Sequence, residues 1–193
     1  AQAADALGYA HRQGVIHRDV KPDNILVKRL DGANRPGDPP LRAMVTDFGL
    51  ARLAGMEQDT QAGLMMGTLP YMSPEQVLDL PIDGRSDIYS LGVVLYQLAT
   101  GKLPLDIRSP ERALQAHQYE EIPIPRVVHA GVPAAVEAII LRALNRRPEN
   151  RHQTAEELAG ELRRAAAGLG NQEALAFAED SDGLSALVVV DTQ

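Results

Sequence analysis

From Asp87 to Thr100 the chain reads DIYSLGVVLYQLAT, and a helix over this stretch is apolar on most of its sides. Ile88, Leu91, Leu95 and Leu98 fall at helical spacing, Val93 and Val94 lie beside them, and Gly101 follows as a C-cap. A helix of this kind has no face to give to water. Other elements must wrap it, so the expected fold is mainly α, organised around a buried central helix. The rest of the sequence offers the wrapping. The Ala-rich segment from Ala1 to Arg12 can form a helix ending at Gln13-Gly14, and Ser109-Pro110-Glu111 is an N-cap followed by an N1 proline. Pro133 opens a helix carrying Val136, Ile139, Ile140, Ala143 and Leu144. The Thr154 to Glu157 stretch is a capping box that opens a last helix with Leu158 and Leu162 inward.

A smaller β component makes the class α+β. Val15-Ile16 and Ile25-Leu26-Val27 read as short strands on either side of a polar knot, His17 to Asn24. Residues 28–41 are rich in Gly, Pro and charge and read as a long hairpin loop. The strand Ala43-Met44-Val45-Thr46 then leads into Asp47-Phe48-Gly49. Residues 50–72 show no clean period and read as an irregular surface segment, the kind that carries function. Composition narrows the possibilities. With 193 residues the chain supports one domain, or one and a fragment. It contains 0 Cys, which excludes disulfide scaffolds, thiolate metal sites and cysteine nucleophiles. The net charge of −7 argues against a nucleic-acid-binding surface. No apolar run approaches the roughly 18 residues that span a bilayer, and the N-terminus does not resemble a signal peptide.

Chemistry concentrates in His17-Arg18-Asp19-Val20-Lys21-Pro22-Asp23-Asn24, then Asp47-Phe48-Gly49, Gly67-Thr68 and Ser73-Pro74-Glu75. In this order the motifs resemble the catalytic loop, the magnesium-binding DFG and the end of the activation segment of protein kinases, over roughly residues 1–165. The Pro-Glu-Asn-Arg ending and the Tyr-Met-Ser-Pro-Glu-Gln segment look most like the eukaryotic-like (Hanks-type) serine/threonine kinases of bacteria. The resemblance implies ATP and Mg²⁺ as cofactors and protein Ser or Thr as acceptor. It implies that Asp19 orients or deprotonates the acceptor hydroxyl and that Lys21 sits on the transferring phosphate. Asn24 and Asp47 would supply oxygen ligands to Mg²⁺, and Asp23 and Leu26 would belong to the nucleotide site, Leu26 as the floor under adenine. Thr68 would contact the catalytic Asp and Lys. Lys21, two residues after Asp19, points to Ser/Thr rather than Tyr acceptors.

Other positions are expected to be architectural by the same resemblance. His17, Phe48 and Gly49 would couple the two catalytic motifs, Asp87 would hold the catalytic-loop backbone, and Glu75 would pair with Arg151. Arg18 would receive a phosphate from the activation segment, with Thr60 as the acceptor, the only hydroxyl between Gly49 and Gly67. The family's glycine-rich loop and its strand lysine match nothing before His17, and no G-x-G-x-x-G occurs anywhere. The expectation is therefore a C-terminal lobe with the N-lobe absent, inactive alone, its own N-lobe being a partner together with protein substrates. The alternative is a non-catalytic, pseudokinase-like interaction module. Residues 166–193 are expected to be a linker or the start of a following region, with Leu187 to Val190 as the first strand of a further domain. The expected location is the cytoplasm, with membrane attachment only through segments outside this chain.

Overall fold

The computed structural model describes residues 1–29, 41–48, 67–169 and 189–190. Helix α1 (Gln2–Arg12) leads through a turn at Gly14, whose φ of 77° is left-handed, into the loop that ends in a 3-10 turn, Pro22–Asn24. Strands β1 (Ile25–Arg29) and β2 (Leu41–Val45) pair antiparallel with Leu26 opposite Met44. A 3-10 turn, Leu69–Tyr71, and the short α2 (Pro74–Val77) precede the central helix α3 (Gly84–Thr100). Then come α4 (Pro110–Tyr119), α5 (Pro125–Val128), α6 (Ala134–Ala143) and α7 (Ala155–Gly168). The two-residue β3 (Val189–Val190) lies parallel to β1, with Val27 opposite Val189.

The central helix is as enclosed as its sequence requires. Ile88, Tyr89, Val93, Val94 and Tyr96 are all buried, and α1, α6 and α7 supply the surrounding core through Leu7, Ile140, Leu144 and Leu158. Closeness between α3 and α6 depends on Gly92. A Cβ there would lie 2.9 Å from the Cβ of Ala143, so only glycine lets the two backbones approach this far. Gly101, at φ 70°, ends the helix in the left-handed cap that its position implies.

The structure departs from the sequence expectations at several boundaries. The central helix starts one turn early, because Asp83 caps it by accepting from the Arg85 amide at 2.8 Å. Val15-Ile16 is not a strand. The Val15 amide donates to Ala10 O at 3.0 Å and so finishes α1, and the pair has no ladder partner among the described residues. Ser109 caps α4 as expected, accepting from the Arg112 amide at 3.2 Å. At α7 the box is half formed. Thr154 accepts from the Glu157 amide at 3.1 Å, but Glu157 accepts from the Gln153 amide, one residue earlier than the cap. The complete capping box sits at Ser73 and Gln76 instead. Val189 and Val190, part of the stretch expected to begin a following region, pair with the edge of β1.

One buried histidine links this packing to pH. His117 on α4 faces Tyr89 of α3, its Nδ1 3.5 Å from the phenol oxygen. Burial, reinforced by the Arg146 and Arg151 charges and opposed by Glu75, pushes its pKa down to about 4. The unfolded chain then binds a proton that the native chain refuses, so stability is lost as pH falls from the ordinary histidine value toward 4. Equilibrium unfolding should show a fall of roughly 3 kcal/mol across that window. His117→Asn, which cannot protonate, should flatten most of this slope. An unchanged slope in the variant would refute the assignment.

Candidate active site

Asp87, in the first turn of α3, is 1% exposed and organises the loop above it. Its Oδ2 accepts from the His17 amide and its Oδ1 from the Arg18 amide, both at 2.8 Å. Arg18 has φ 69°, a left-handed conformation that a non-glycine residue adopts only when its surroundings hold it there. It is held from both sides, because its carbonyl accepts from Gln76 Nε2 at 2.7 Å while its amide is on Asp87. This kink turns the chain so that Asp19 and Lys21 emerge on the same side.

There Lys21 Nζ donates to Thr68 Oγ1 at 2.8 Å and lies 3.0 Å from Asp19 Oδ2. Asn24 is buried and donates through Nδ2 to Asp19 O at 2.7 Å and to Asp19 Oδ2 at 3.0 Å. One carboxylate oxygen of Asp19 is thus doubly held. The other, Oδ1, is buried and has no hydrogen-bond partner among the described residues. An acceptor left open in this way costs free energy until a donor arrives.

His17 is completely buried and connects this loop to the next motif. Its Nε2 donates to Thr46 O at 2.8 Å and its Nδ1 accepts from the Asp19 amide at 3.2 Å, which together fix the tautomer. Its ring packs on Phe48 with centroids 4.6 Å apart. Thr46 closes the circuit. Its amide donates to Asn24 O at 2.9 Å and its hydroxyl to Asp47 Oδ2 at 3.2 Å, and Asp47 is itself left-handed at φ 57°. Leu26 is half-buried on β1, and Asp23 faces solvent in the 3-10 turn.

The predicted pair is also present. Arg151, 1% exposed, donates to Glu75 Oε1 at 2.7 Å and Oε2 at 2.9 Å, and Ser86 Oγ donates to Glu75 Oε1 at 2.6 Å. Burial drives the Glu75 pKa upward, but the Arg151 and Ser86 hydrogen bonds outweigh it and hold the carboxyl below its ordinary value. The structure therefore brings together His17, Arg18, Asp19, Lys21, Asn24, Asp47, Phe48, Thr68 and Asp87 around one loop, with Glu75 and Arg151 beneath it. Gly49 and Thr60 lie outside the described residues. Sequence reasoning missed Gln76, Thr46 and Ser86. Only Gln76 carried a local signal, the Ser73-x-x-Gln76 capping pattern.

This assembly is that of a protein kinase: residues 1–161 match the family described as the protein kinase domain, and the chain belongs to that family. Among curated relatives it is 46% identical over 153 residues to serine/threonine-protein kinase Pkn1 of Myxococcus xanthus, an overlap covering 79% of this chain and 21% of the relative. It is 39% identical over 161 residues to a probable serine/threonine-protein kinase of Clostridium acetobutylicum, covering 83% of this chain and 23% of that one. With serine/threonine-protein kinase PknB of Mycobacterium leprae it shares 40% identity over 169 residues, 87% of this chain and 26% of the relative. The overlap thus spans between 21% and 26% of the length of these relatives.

Proposed function

We propose that the chain provides the phosphoryl-transfer site of a serine/threonine protein kinase, moving the γ-phosphoryl group of ATP to a Ser or Thr hydroxyl of a protein. The observation that carries this reading is Asp19, one oxygen clamped by Lys21 and Asn24 and the other buried without a partner. The Asp19 carboxylate accepts the proton of the acceptor hydroxyl. As the hydroxyl's own oxygen bonds to phosphorus, the bond from phosphorus to the leaving oxygen of ADP breaks and the electron pair departs with ADP. Lys21, fixed by Thr68, places a compact positive charge beside the transferring group.

The donor set suits Mg²⁺. Asn24 spends its amide nitrogen on Asp19, which leaves its side-chain oxygen as an acceptor, and Asp47 contributes a carboxylate. Hard oxygen ligands shared with nucleotide phosphates are what Mg²⁺ prefers, and the bound ion would neutralise charge developing on the phosphates. Leu26 lies on the adenine side and Asp23 at the mouth. Arg18 and Thr60 form the regulatory pair, a phosphate on Thr60 ordering the activation segment.

The sequence contains no glycine-rich phosphate loop. The residues that cover the nucleotide are therefore proposed to come from outside these 193, and this chain alone is expected to transfer phosphate slowly or not at all. That same gap favours the second reading, a kinase-like module that binds a partner and does no chemistry. Incubating the full-length protein with γ-labelled ATP decides between them. The kinase reading expects label on protein Ser or Thr, lost on chelating Mg²⁺ and in Asp47→Asn. No labelling by the wild type, or equal labelling by Asp47→Asn, supports the module.

A further inference from the structure

We propose that the edge of β1 turned away from β2 is a docking site for an extended apolar segment, and that its occupant is this chain's own run Leu184 to Val190, seated in cis through β3. The sheet has the order β2-β1-β3, so the β1–β2 hairpin has two outer edges to close. On β2 the side chain of Gln2 does this. Its Nε2 donates to Leu41 O at 3.1 Å and its Oε1 accepts from the Ala43 amide at 2.8 Å, as the peptide of a further strand would. Which groups of β1 face outward follows from the ladder. The Thr46 amide donates across to Asn24 O at 2.9 Å. An antiparallel pair alternates, so Leu26 and Lys28 also bond to β2, while Ile25, Val27 and Arg29 direct their amides and carbonyls away from it. Val27 is buried, where an amide without a partner costs free energy. β3 lies parallel to this edge, with Val189 opposite Val27 and Val190 opposite Lys28, and supplies that partner.

A second observation is independent of the ladder. Beneath the sheet runs an apolar groove of about 270 Å³, lined by Val27 and its partner Ala43, by Leu95 and Leu98 of α3, and by Leu162 of α7. The chain passes both walls of this groove. α7, which carries Leu162, ends at Gly168, and Val189 pairs with Val27 on the other wall. The run Leu184 to Val190 has the chemistry such a place requires: six of its residues are apolar, Ser185 is the exception, and no charge falls between Asp182 and Asp191. Its valines favour extended backbone. An open strand edge beside an apolar groove would otherwise invite pairing with other chains. A tail tethered to α7 closes it at an effective concentration in the millimolar range, which a separate copy does not match at ordinary dilution.

The test needs no nucleotide, so it is independent of the kinase reading. Deuterium exchange in the 193-residue chain should show the Val27 amide protected together with those of Leu26 and Lys28. The double substitution Val189→Pro and Val190→Pro removes both amides of β3 and leaves the core untouched. In it the Val27 amide should exchange about tenfold faster or more, while Leu26 and Lys28, bonded to β2, hold their rates. A peptide of residues 184–193, added to this variant at millimolar concentration, should restore the protection, and the same peptide carrying both prolines should not. Unchanged Val27 exchange in the variant overturns the proposal, and so does an equal rise at Val27, Leu26 and Lys28, which would mark loss of the whole hairpin. Equal rescue by the two peptides overturns it as well. Protection in the wild type should survive dilution of about a hundredfold; a fall on dilution would show that a second copy supplies the strand and would overturn docking in cis.

Discussion

Arg151→Ala is expected to cost about 3–5 kcal/mol of stability, enough to unfold a domain of ordinary marginal stability. The reason is the number of groups this one side chain satisfies. Besides both oxygens of Glu75, its guanidinium donates to Asn145 O at 2.7 Å and to Arg85 O and Arg146 O at 2.9 Å, and it stacks 4.9 Å above the Tyr89 ring. Removing it strands a buried carboxylate, leaves three carbonyls without this donor and opens a cavity against the central helix. Because the penalty comes mainly from the unpaired charge, replacing Glu75 and Arg151 together by Leu and Met should cost clearly less than Arg151→Ala alone. Urea unfolding of the two variants checks this, and a loss below about 1 kcal/mol in Arg151→Ala would refute it. The pH dependence should also change sign. In the wild type the depressed Glu75 pKa makes its contribution full above the ordinary glutamate value and lost as pH falls through the folded one. In Arg151→Ala burial dominates, the carboxyl titrates above its ordinary value, and acidification toward that range stabilises the variant.

What was legible in the sequence follows how local each signal is. The central helix was plain because an apolar residue recurs on every side, whereas its first turn is polar and hides behind the Asp83 cap. Val15-Ile16 looked like a strand because two β-branched residues favour one, but a strand needs a partner that two residues cannot specify. Residue types in the catalytic loop and the DFG motif were recognisable by resemblance, and the helical body around α3 is where that resemblance places it. The wiring was not. His11 and Asp87 are 76 residues apart, Arg18 and Gln76 are 58 apart, and nothing local in either partner announces the other. The left-handed backbone at Arg18 was equally invisible, since arginine does not signal that conformation, and at Asp47 the residue type merely tolerates it.

Asp19→Asn is expected to lower kcat of the full-length kinase by about a thousandfold, within the range that a positioned general base contributes. Asparagine keeps the shape of the side chain, so the geometry of the loop should survive: the His17 and Arg18 amides remain on Asp87, and Asn24 still reaches the carbonyl of residue 19. What disappears is the charge. An amide oxygen can accept a hydrogen bond from the substrate hydroxyl but cannot take its proton, and Lys21 loses the carboxylate 3.0 Å away that holds it beside Thr68. KM for ATP should change little, because in the proposed site the nucleotide and its metal rest on Lys21, Asn24 and Asp47. Thermal unfolding should also move little, since the Asp19 side chain is 37% exposed and lies outside the core. Asp47→Asn sets the contrast, because there the loss should fall on nucleotide and Mg²⁺ binding. If Asp19→Asn kept more than about a tenth of wild-type kcat, positioning by Lys21 and the metal would account for the catalysis and Asp19 would be an orienting residue alone.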